Sequence, residues 1–550
     1  MLKEFKKSLT EKILHKCEKV ASSCRIVAAC IYGVSPGKIL DEIKNFDVLL
    51  VVEDFKGKVK SMREDLNGVE LDIIISDKDV FEKDIKNGFL GDFISDMLLT
   101  SYIPILNSEY LRKHEIYVKT RVLKAILENL VLEYPELCHE ILIKPEYFIY
   151  ELARRKAKIF PPIKHSASYF FKEVLKVENF EPIMEGFRLG LNELEKEGIV
   201  ETVDGYIRAK VSFINKIRKQ KMKIIFRKIQ RKALRTILDL IPETSGPFIF
   251  EELTVKGLKS SEKYLYIPTS MGPVSLDEKV SVEEFVSRLN PNAKCLNIKL
   301  EEIGGILNSV YLLKIKFEDK SERRIVVKKF KDWLGLKWFP VTLWTLGTKS
   351  FAVLGESRLE REYAINKFLQ SKGFNVPEIL YASPKEGLIF QEYIDGVSAT
   401  RLVKQIFSAR KENLTRKLEI IRKIGAEIAK IHAYNVCIGD CKPENILVTD
   451  DDRIFFVDLE QASRDGDKAW DIAEFLYYSG HYALPTTPIN SLKNLTKSFI
   501  EGYLSAGGDR DVVRAAGSAK YTKVFSIFAL PHVILTISNL CKEMGGKQRG

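Results

Sequence analysis

The sequence predicts a multi-domain α+β protein, and three observations carry that expectation. A chain of 550 residues is long for one hydrophobic core, so several domains are expected. The hydropathy pattern changes along the chain. Helix and strand patterns alternate over residues 1–120, helical patterns dominate 121–242, residues 243–290 read as a linker with local structure, and a new pattern occupies 291–550. Within that last segment, Lys, Glu, Asp and Asn residues stand at ordered spacings between apolar strands.

Composition narrows the class. Hydrophobic residues make up 45% and charged residues 29%, which describes an ordered globular chain rather than a fibrous or disordered one. Residues 1–10 are charged with no apolar stretch behind them, and no run reaches the ~18 apolar residues of a membrane span. The cytoplasm is therefore the expected location. Eight cysteines without a CxxC pair and seven scattered histidines give neither a disulfide framework nor a protein-built zinc site. The net charge is +12, and Gly205–Leu238 holds twelve Lys or Arg with no acidic residue. One segment thus accounts for the whole imbalance.

At the N-terminus, Leu2–Cys24 has the pattern of an amphipathic helix. Arg25–Ile31, Phe46–Val52 and Val69–Ile75 read as strands. The turn Tyr32-Gly33-Val34-Ser35, the strand carrying Asp47 and the strand carrying Asp72 together resemble the nucleotidyltransferase superfamily of DNA polymerase beta. That resemblance implies a triphosphate held at a Gly-Ser turn and two metals held by three carboxylates. Here the pattern is broken. A strand places alternate residues on one face, and the same-face neighbours of Asp47 are Asn45 and Leu49. The serine is displaced as well. A nucleotidyltransferase-like fold that has lost its transfer chemistry is expected.

In the middle region a periodic stretch, Phe187–Leu194, is followed by two short strands around Asp204-Gly205, a tight-hairpin signal. Helix and hairpin together resemble a winged-helix module. The basic stretch 212–240 follows as one amphipathic helix. It can pack on its own domain, contact RNA or DNA, or lie on an anionic membrane surface.

The C-terminal segment opens with Gly304-Gly305 and Ser309 between two apolar strands, a candidate phosphate cover. Arg324–Lys329 ends a strand at Lys328, and a later helix carries Glu362 as its candidate ion-pair partner. Phe390–Gly396 reads as a hinge whose Glu392 and Ile394 backbone groups would face an adenine edge. The decisive stretch is Ile438-Gly439-Asp440-Cys441-Lys442-Pro443-Glu444-Asn445, with Asp458 thirteen residues after Asn445 at the end of another apolar strand. Asp440 would orient an acceptor hydroxyl and take its proton, Lys442 would neutralise the transferring phosphoryl group, and Asn445 and Asp458 would hold metal ions. These motifs resemble the protein-kinase-like superfamily over about residues 296–540, which implies a bilobal fold that uses ATP with Mg²⁺ or Mn²⁺. Asp471 comes only thirteen residues after Asp458, and no A-P-E motif follows. That gap resembles compact atypical kinases: the RIO kinases, the small archaeal kinases of the KEOPS complex and the aminoglycoside phosphotransferases. An insertion between Lys328 and Glu362 places three of the four tryptophans within twelve residues, Trp333–Trp344.

The expectation for the whole chain is a serine/threonine protein kinase of this compact type acting on a protein acceptor. Two other readings stay open. One is a small-molecule phosphotransferase for a sugar or nucleoside. The other is a pseudokinase scaffold that binds nucleic acid through 212–240.

Overall fold

The computed structural model describes residues 2–33, 45–66, 68–157, 177–220, 260–290, 295–304, 309–319, 321–331, 354–408 and 413–546. The Ser35 turn, Gly305, the Trp333–Trp344 cluster and the basic stretch beyond residue 220 lie outside the described residues. The chain divides into two units, Met1–Tyr266 and Ile267–Gly550.

The first unit opens with α1 (Leu2–Ala21), β1 (Ile26–Tyr32), β2 (Asn45–Val52), β3 (Val59–Leu66), β4 (Val69–Asp77), α2 (Lys78–Asn87), β5 (Tyr102–Leu106) and α3 (Ser108–Glu133). The five strands form one sheet in the order β3-β4-β2-β1-β5. Only β2 and β4 run parallel. Ile13 and Cys17 of α1 pack with Ile31, Val48, Leu50 and Ile73 on one face. On the other, Cys30, Leu49 and Val51 are also fully buried. Burial on both faces explains why these strands read as unbroken apolar runs. β3 escaped the sequence reading because Val-Lys-Ser-Met-Arg-Glu-Asp-Leu is a charged edge strand, the usual protection of a sheet edge.

Next come β6 (Leu142–Ile143), α4 (Glu146–Ala157), α5 (Val177–Lys196), β7 (Val200–Val203), β8 (Tyr206–Ala209) and α6 (Val211–Lys219). Asp204 and Gly205 both take positive φ, 49° and 78°, between the paired Val203 and Tyr206. That is the backbone a two-residue hairpin turn needs. The hairpin is not isolated, since Ile207 pairs with Ile143.

The second unit contains the end of β9 (Leu265–Thr269), then β10 (Gly272–Ser275), α7 (Val282–Leu289), β11 (Cys295–Gly304), β12 (Ser309–Phe317), β13 (Glu322–Lys329), α8 (Gly355–Ser371), β14 (Ile379–Ser383) and β15 (Leu388–Glu392). An antiparallel sheet runs in the order β11-β12-β13-β15-β14. The stretch read as linker is ordered structure from residue 260. Within this unit, α7 carries a Ser281–Glu284 capping box, and Phe285 stacks on Phe390 with ring centroids 3.9 Å apart. The Ser383 hydroxyl oxygen accepts from the Val280 amide at 2.8 Å. Local pattern could not show this, because the partners of 267–290 lie about a hundred residues downstream.

The rest of the unit is mostly helical: β16 (Val397–Ser398), α9 (Ala399–Phe407), α10 (Leu414–Ala433), β17 (Val436–Cys437), β18 (Ile446–Val448), β19 (Ile454–Phe456), β20 (Ser463–Arg464), α11 (Lys468–His481), α12 (Ile489–Ser505), α13 (Arg510–Ala516), α14 (Ala519–Phe525) and α15 (Pro531–Gly546). Its core joins Ile421, Ile424 and Ile428 of α10 to Phe475 and Leu476 of α11, Phe499 and Tyr503 of α12, and Ile537 of α15. α10 and α12 approach backbone to backbone. A Cβ at Gly502 would lie 1.9 Å from the Arg422 carbonyl oxygen, and one at Gly425 would lie 2.2 Å from that of Phe499. Among the described residues no helix is long and apolar enough to cross a membrane.

Candidate active site

The site begins with a strand-borne lysine. On β13, Ile325 and Val327 are buried on one face of the sheet, and Lys328 stands on the other. Lys328 faces α8, and its Nζ donates to Glu362 Oε1 at 2.8 Å and to Asp458 Oδ1 at 3.1 Å. Lys328 and Glu362 are buried, at 4% and 1% exposure. Burial pulls the Lys328 pKa down, but Asp458 and Glu362 outweigh it and hold the ammonium above the ordinary lysine value. Gln391 of β15 donates from Nε2 to the same Glu362 oxygen at 2.9 Å. Gly304 closes β11, Ser309 opens β12, and Val310 pairs with Lys328. Ser309 therefore opens the strand next to the lysine's own, and Gly304 ends the strand beyond it. At the candidate hinge the Glu392 amide donates to the Glu378 carbonyl at 2.8 Å. That amide is engaged within the protein rather than offered to a nucleotide edge.

The loop between β17 and β18 carries Asp440, Lys442 and Asn445. Asn445 Nδ2 donates to Asp440 Oδ2 at 3.0 Å and to the Asp440 carbonyl at 2.9 Å. Lys442 Nζ lies 3.0 Å from Asp440 Oδ1. Burial lowers the Lys442 pKa, but Asp440 and Glu474 outweigh it and raise it. The Val457 amide donates to the Asn445 carbonyl at 2.9 Å, tying the Asp458 segment to this loop. Asp458 itself has φ 63°, a left-handed backbone that Asp tolerates better than most residues.

What fixes the loop was not assigned from sequence. Asp471 of α11 is fully buried. It accepts from the Ile438 and Gly439 amides, both at 2.7 Å, and its Oδ2 lies 3.0 Å from His432 Nε2. The other ring nitrogen of His432 meets the Tyr503 hydroxyl at 2.9 Å. Glu474 accepts from the Cys441 amide at 2.8 Å and from Trp470 Nε1 at 2.9 Å. His432, Cys437 and Asp471 lie within 4.8 Å of one another. The polar atoms of Asp471 and His432 already serve amides, imidazole and hydroxyl, so these two residues hold the loop rather than a metal. The available signal was the Trp470-Asp471 pair close behind Asp458.

The donor set at the other end of the site suits a hard divalent cation. Asp458 and Asn445 offer oxygen donors only, which favour Mg²⁺ or Mn²⁺ over softer metals. In the first unit the picture differs. Asp47 pairs in register with Asp72 across β2 and β4. Asp72 is clamped by Arg63, with Nε to Oδ1 at 2.8 Å and Nη2 to Oδ2 at 3.2 Å. Asn45 also donates to Asp72, at 3.3 Å.

Comparison with known proteins bears on the second unit. The lipopolysaccharide kinase (Kdo/WaaP) family matches residues 316–476, a span that contains Lys328, Glu362, Asp440, Lys442, Asn445, Asp458 and Asp471. A protein of Archaeoglobus fulgidus described as a probable serine/threonine-protein kinase BUD32 homolog is 26% identical over 140 residues, 25% of this chain and 69% of the relative. The KEOPS complex subunit Bud32 of Pyrococcus abyssi is 26% identical over 112 residues, 20% of this chain and 48% of that protein. The C-terminal part of the chain is kinase-like, and the protein is a phosphotransferase.

Proposed function

We propose that the chain is an ATP- and divalent-metal-dependent kinase that phosphorylates a serine or threonine hydroxyl of a protein acceptor. The observation that carries this reading is the bridge from Lys328 to both Glu362 and Asp458. It spans from the sheet to the segment behind the Asp440 loop, and it sets a lysine where nucleotide phosphates would meet a metal-binding carboxylate. Gly304, Gly305 and Ser309 would cover the phosphates. The Glu392 carbonyl and Ile394 amide would meet adenine. Asp458 and Asn445 would hold Mg²⁺ or Mn²⁺, which neutralises charge on the phosphates when bound. Asp440 would accept the proton of the attacking hydroxyl, while Lys442, 3.0 Å away, balances charge on the transferring group. Transfer breaks the bond from the γ-phosphorus to its bridging oxygen and forms one to the acceptor oxygen, with ADP leaving.

The relatives described as a serine/threonine kinase and a KEOPS subunit support a protein acceptor and protein partners, and we propose a cytoplasmic location. The match to a lipopolysaccharide kinase family favours a second reading, phosphorylation of a sugar hydroxyl by the same residues. For the first unit we infer a nucleotidyltransferase-like fold without transfer activity. Arg63 occupies Asp72, leaving Asp47 a poor host for two metals. We further propose that the helix–hairpin is winged-helix-like and that the basic 212–240 stretch, where it does not pack on its own domain, offers a contact for RNA or DNA.

The test is incubation of the purified protein with γ-labelled ATP, Mg²⁺ or Mn²⁺, and either a generic protein or a panel of sugars, beside Asp440→Ala and Asp458→Ala. Label on protein that both variants lose supports the kinase reading. Label confined to sugars supports the second reading. ATP binding with no transfer under any condition overturns both.

A further inference from the structure

α8 is joined to the Asp458 segment twice. Glu362 reaches it through Lys328. One turn earlier on the same helix face, Arg358 reaches it directly, donating from Nη2 to Glu460 Oε2 at 3.0 Å. Glu460 stands two residues after Asp458. Both partners are buried, Arg358 at 0% and Glu460 at 3% exposure. Arg358 Nη1 also donates to the Lys331 carbonyl at 2.9 Å, just beyond the end of β13. A single guanidinium therefore fixes three elements: the helix bearing Glu362, the strand bearing Lys328 and the segment bearing Asp458.

A buried ion pair is a poor choice if stability is all that is needed, because desolvation offsets most of the attraction. What a planar guanidinium adds is register, since its Nη1 and Nη2 donate in fixed directions to the Lys331 carbonyl and the Glu460 carboxylate. Register is what Glu362 needs, because a helix that slid or rolled by one residue would carry it away from Lys328. Asp471 comes only thirteen residues after Asp458, which leaves little chain for a separate loop whose modification could order α8.

We propose that Arg358 and Glu460 are positioning residues, a built-in latch that holds α8 in register so that the Lys328–Glu362 pair is assembled without any modification. The proposal assigns Glu460 to Arg358 rather than to metal binding. It rests on the kinase reading for its consequence but not for its existence.

The latch is tested in the full chain by backbone hydrogen exchange over residues 355–371, without nucleotide or metal. The variants are Glu460→Gln and the apolar pair Arg358→Met/Glu460→Leu, with kcat and the KM for ATP measured alongside. The expected result is exchange in α8 faster by roughly tenfold or more. It should be accompanied by a roughly tenfold or larger fall in kcat, with ATP KM changed by less than about threefold. A folded variant with wild-type protection in α8 and wild-type kcat overturns the proposal. So does a variant that merely melts earlier while its kcat per folded molecule is unchanged. If the double variant does not fold, Glu460→Gln decides by the same readouts. Absence of phosphoryl transfer from the wild-type protein would overturn the kinase reading, and the exchange measurement would still decide the latch.

Discussion

Asp471 shows how much one carboxylate can do once buried. Its two oxygens accept two consecutive loop amides and meet His432, so removing its charge leaves polar groups with nowhere else to turn. Asp471→Asn is expected to cost about 3 kcal/mol in the second unit and to abolish transfer, because Asp440 follows directly on the amides it holds. Thermal melting and the labelled-ATP assay check the two effects separately. Lys328→Met removes the bridge between Glu362 and Asp458. Its expected signature is a loss of roughly 10²–10³ in rate together with lowered stability, since the buried Glu362 carboxylate is left without its cation. Circular dichroism beside the assay would detect a folding failure instead. Neither His432 nor Glu474 was legible as functional, because a lone His on an apolar helix face carries no sign of its partner 39 residues away.

At the scale of elements, the two sharpest constraints are contacts between backbones. α10 and α12 cross where Gly425 faces the Phe499 carbonyl and Gly502 faces the Arg422 carbonyl. Gly502→Ala should therefore destabilise the second unit by about 1–3 kcal/mol through overpacking. Gly546→Ala, where a Cβ meets nothing within 4 Å, should be nearly neutral. Denaturant titration of the two variants side by side makes the comparison. α7 supplies the other test. Phe285 is fully buried against Phe390, and Phe285→Ala is expected to cost about 3–5 kcal/mol, measured by the same titration. The first three strands of the N-terminal sheet read from sequence, over 25–31, 46–52 and 69–75, correspond to β1, β2 and β4 to within a few residues. Their burial wrote itself into a continuous apolar run. β3 and β5 did not show in this way, because an edge strand keeps one side and one ladder in water.

At the scale of the whole molecule, acid and base act on different pairs. In the first unit, burial pushes the Glu151 pKa up, but hydrogen bonds from Arg154 and Arg155, and a further one from Ser261, outweigh it and hold it below the ordinary range. A lowered carboxylate contributes stability that is present above its unfolded value, about 4.3, and is lost as pH falls through the folded one. Glu151→Gln should then destabilise the protein by about 1–3 kcal/mol near pH 7, with the difference shrinking below about pH 4. Melting curves across that range are the check. Lys328 has the opposite sign. Its raised value means that the contribution of its ion pairs is complete below the ordinary lysine pKa of about 10.4, and fades only as pH rises through the folded value above that.

The sequence by itself determined the strand-and-helix grammar of both ends, the hairpin at Asp204-Gly205, and the order of Lys328, Glu362, Asp440, Asn445 and Asp458. These rest on local rules: the two-residue period of strands, the positive φ that a tight turn needs, and spacings within one loop. Tertiary structure alone decided that residues 267–290 join the second unit, that Arg63 occupies Asp72, that Asp471 holds the Asp440 loop, and that Arg358 reaches Glu460. Each of those contacts joins residues on different elements of the chain, and in each a charge or ring is satisfied by a partner that only folding brings within about 3 Å for hydrogen bonds or about 4 Å for stacked rings.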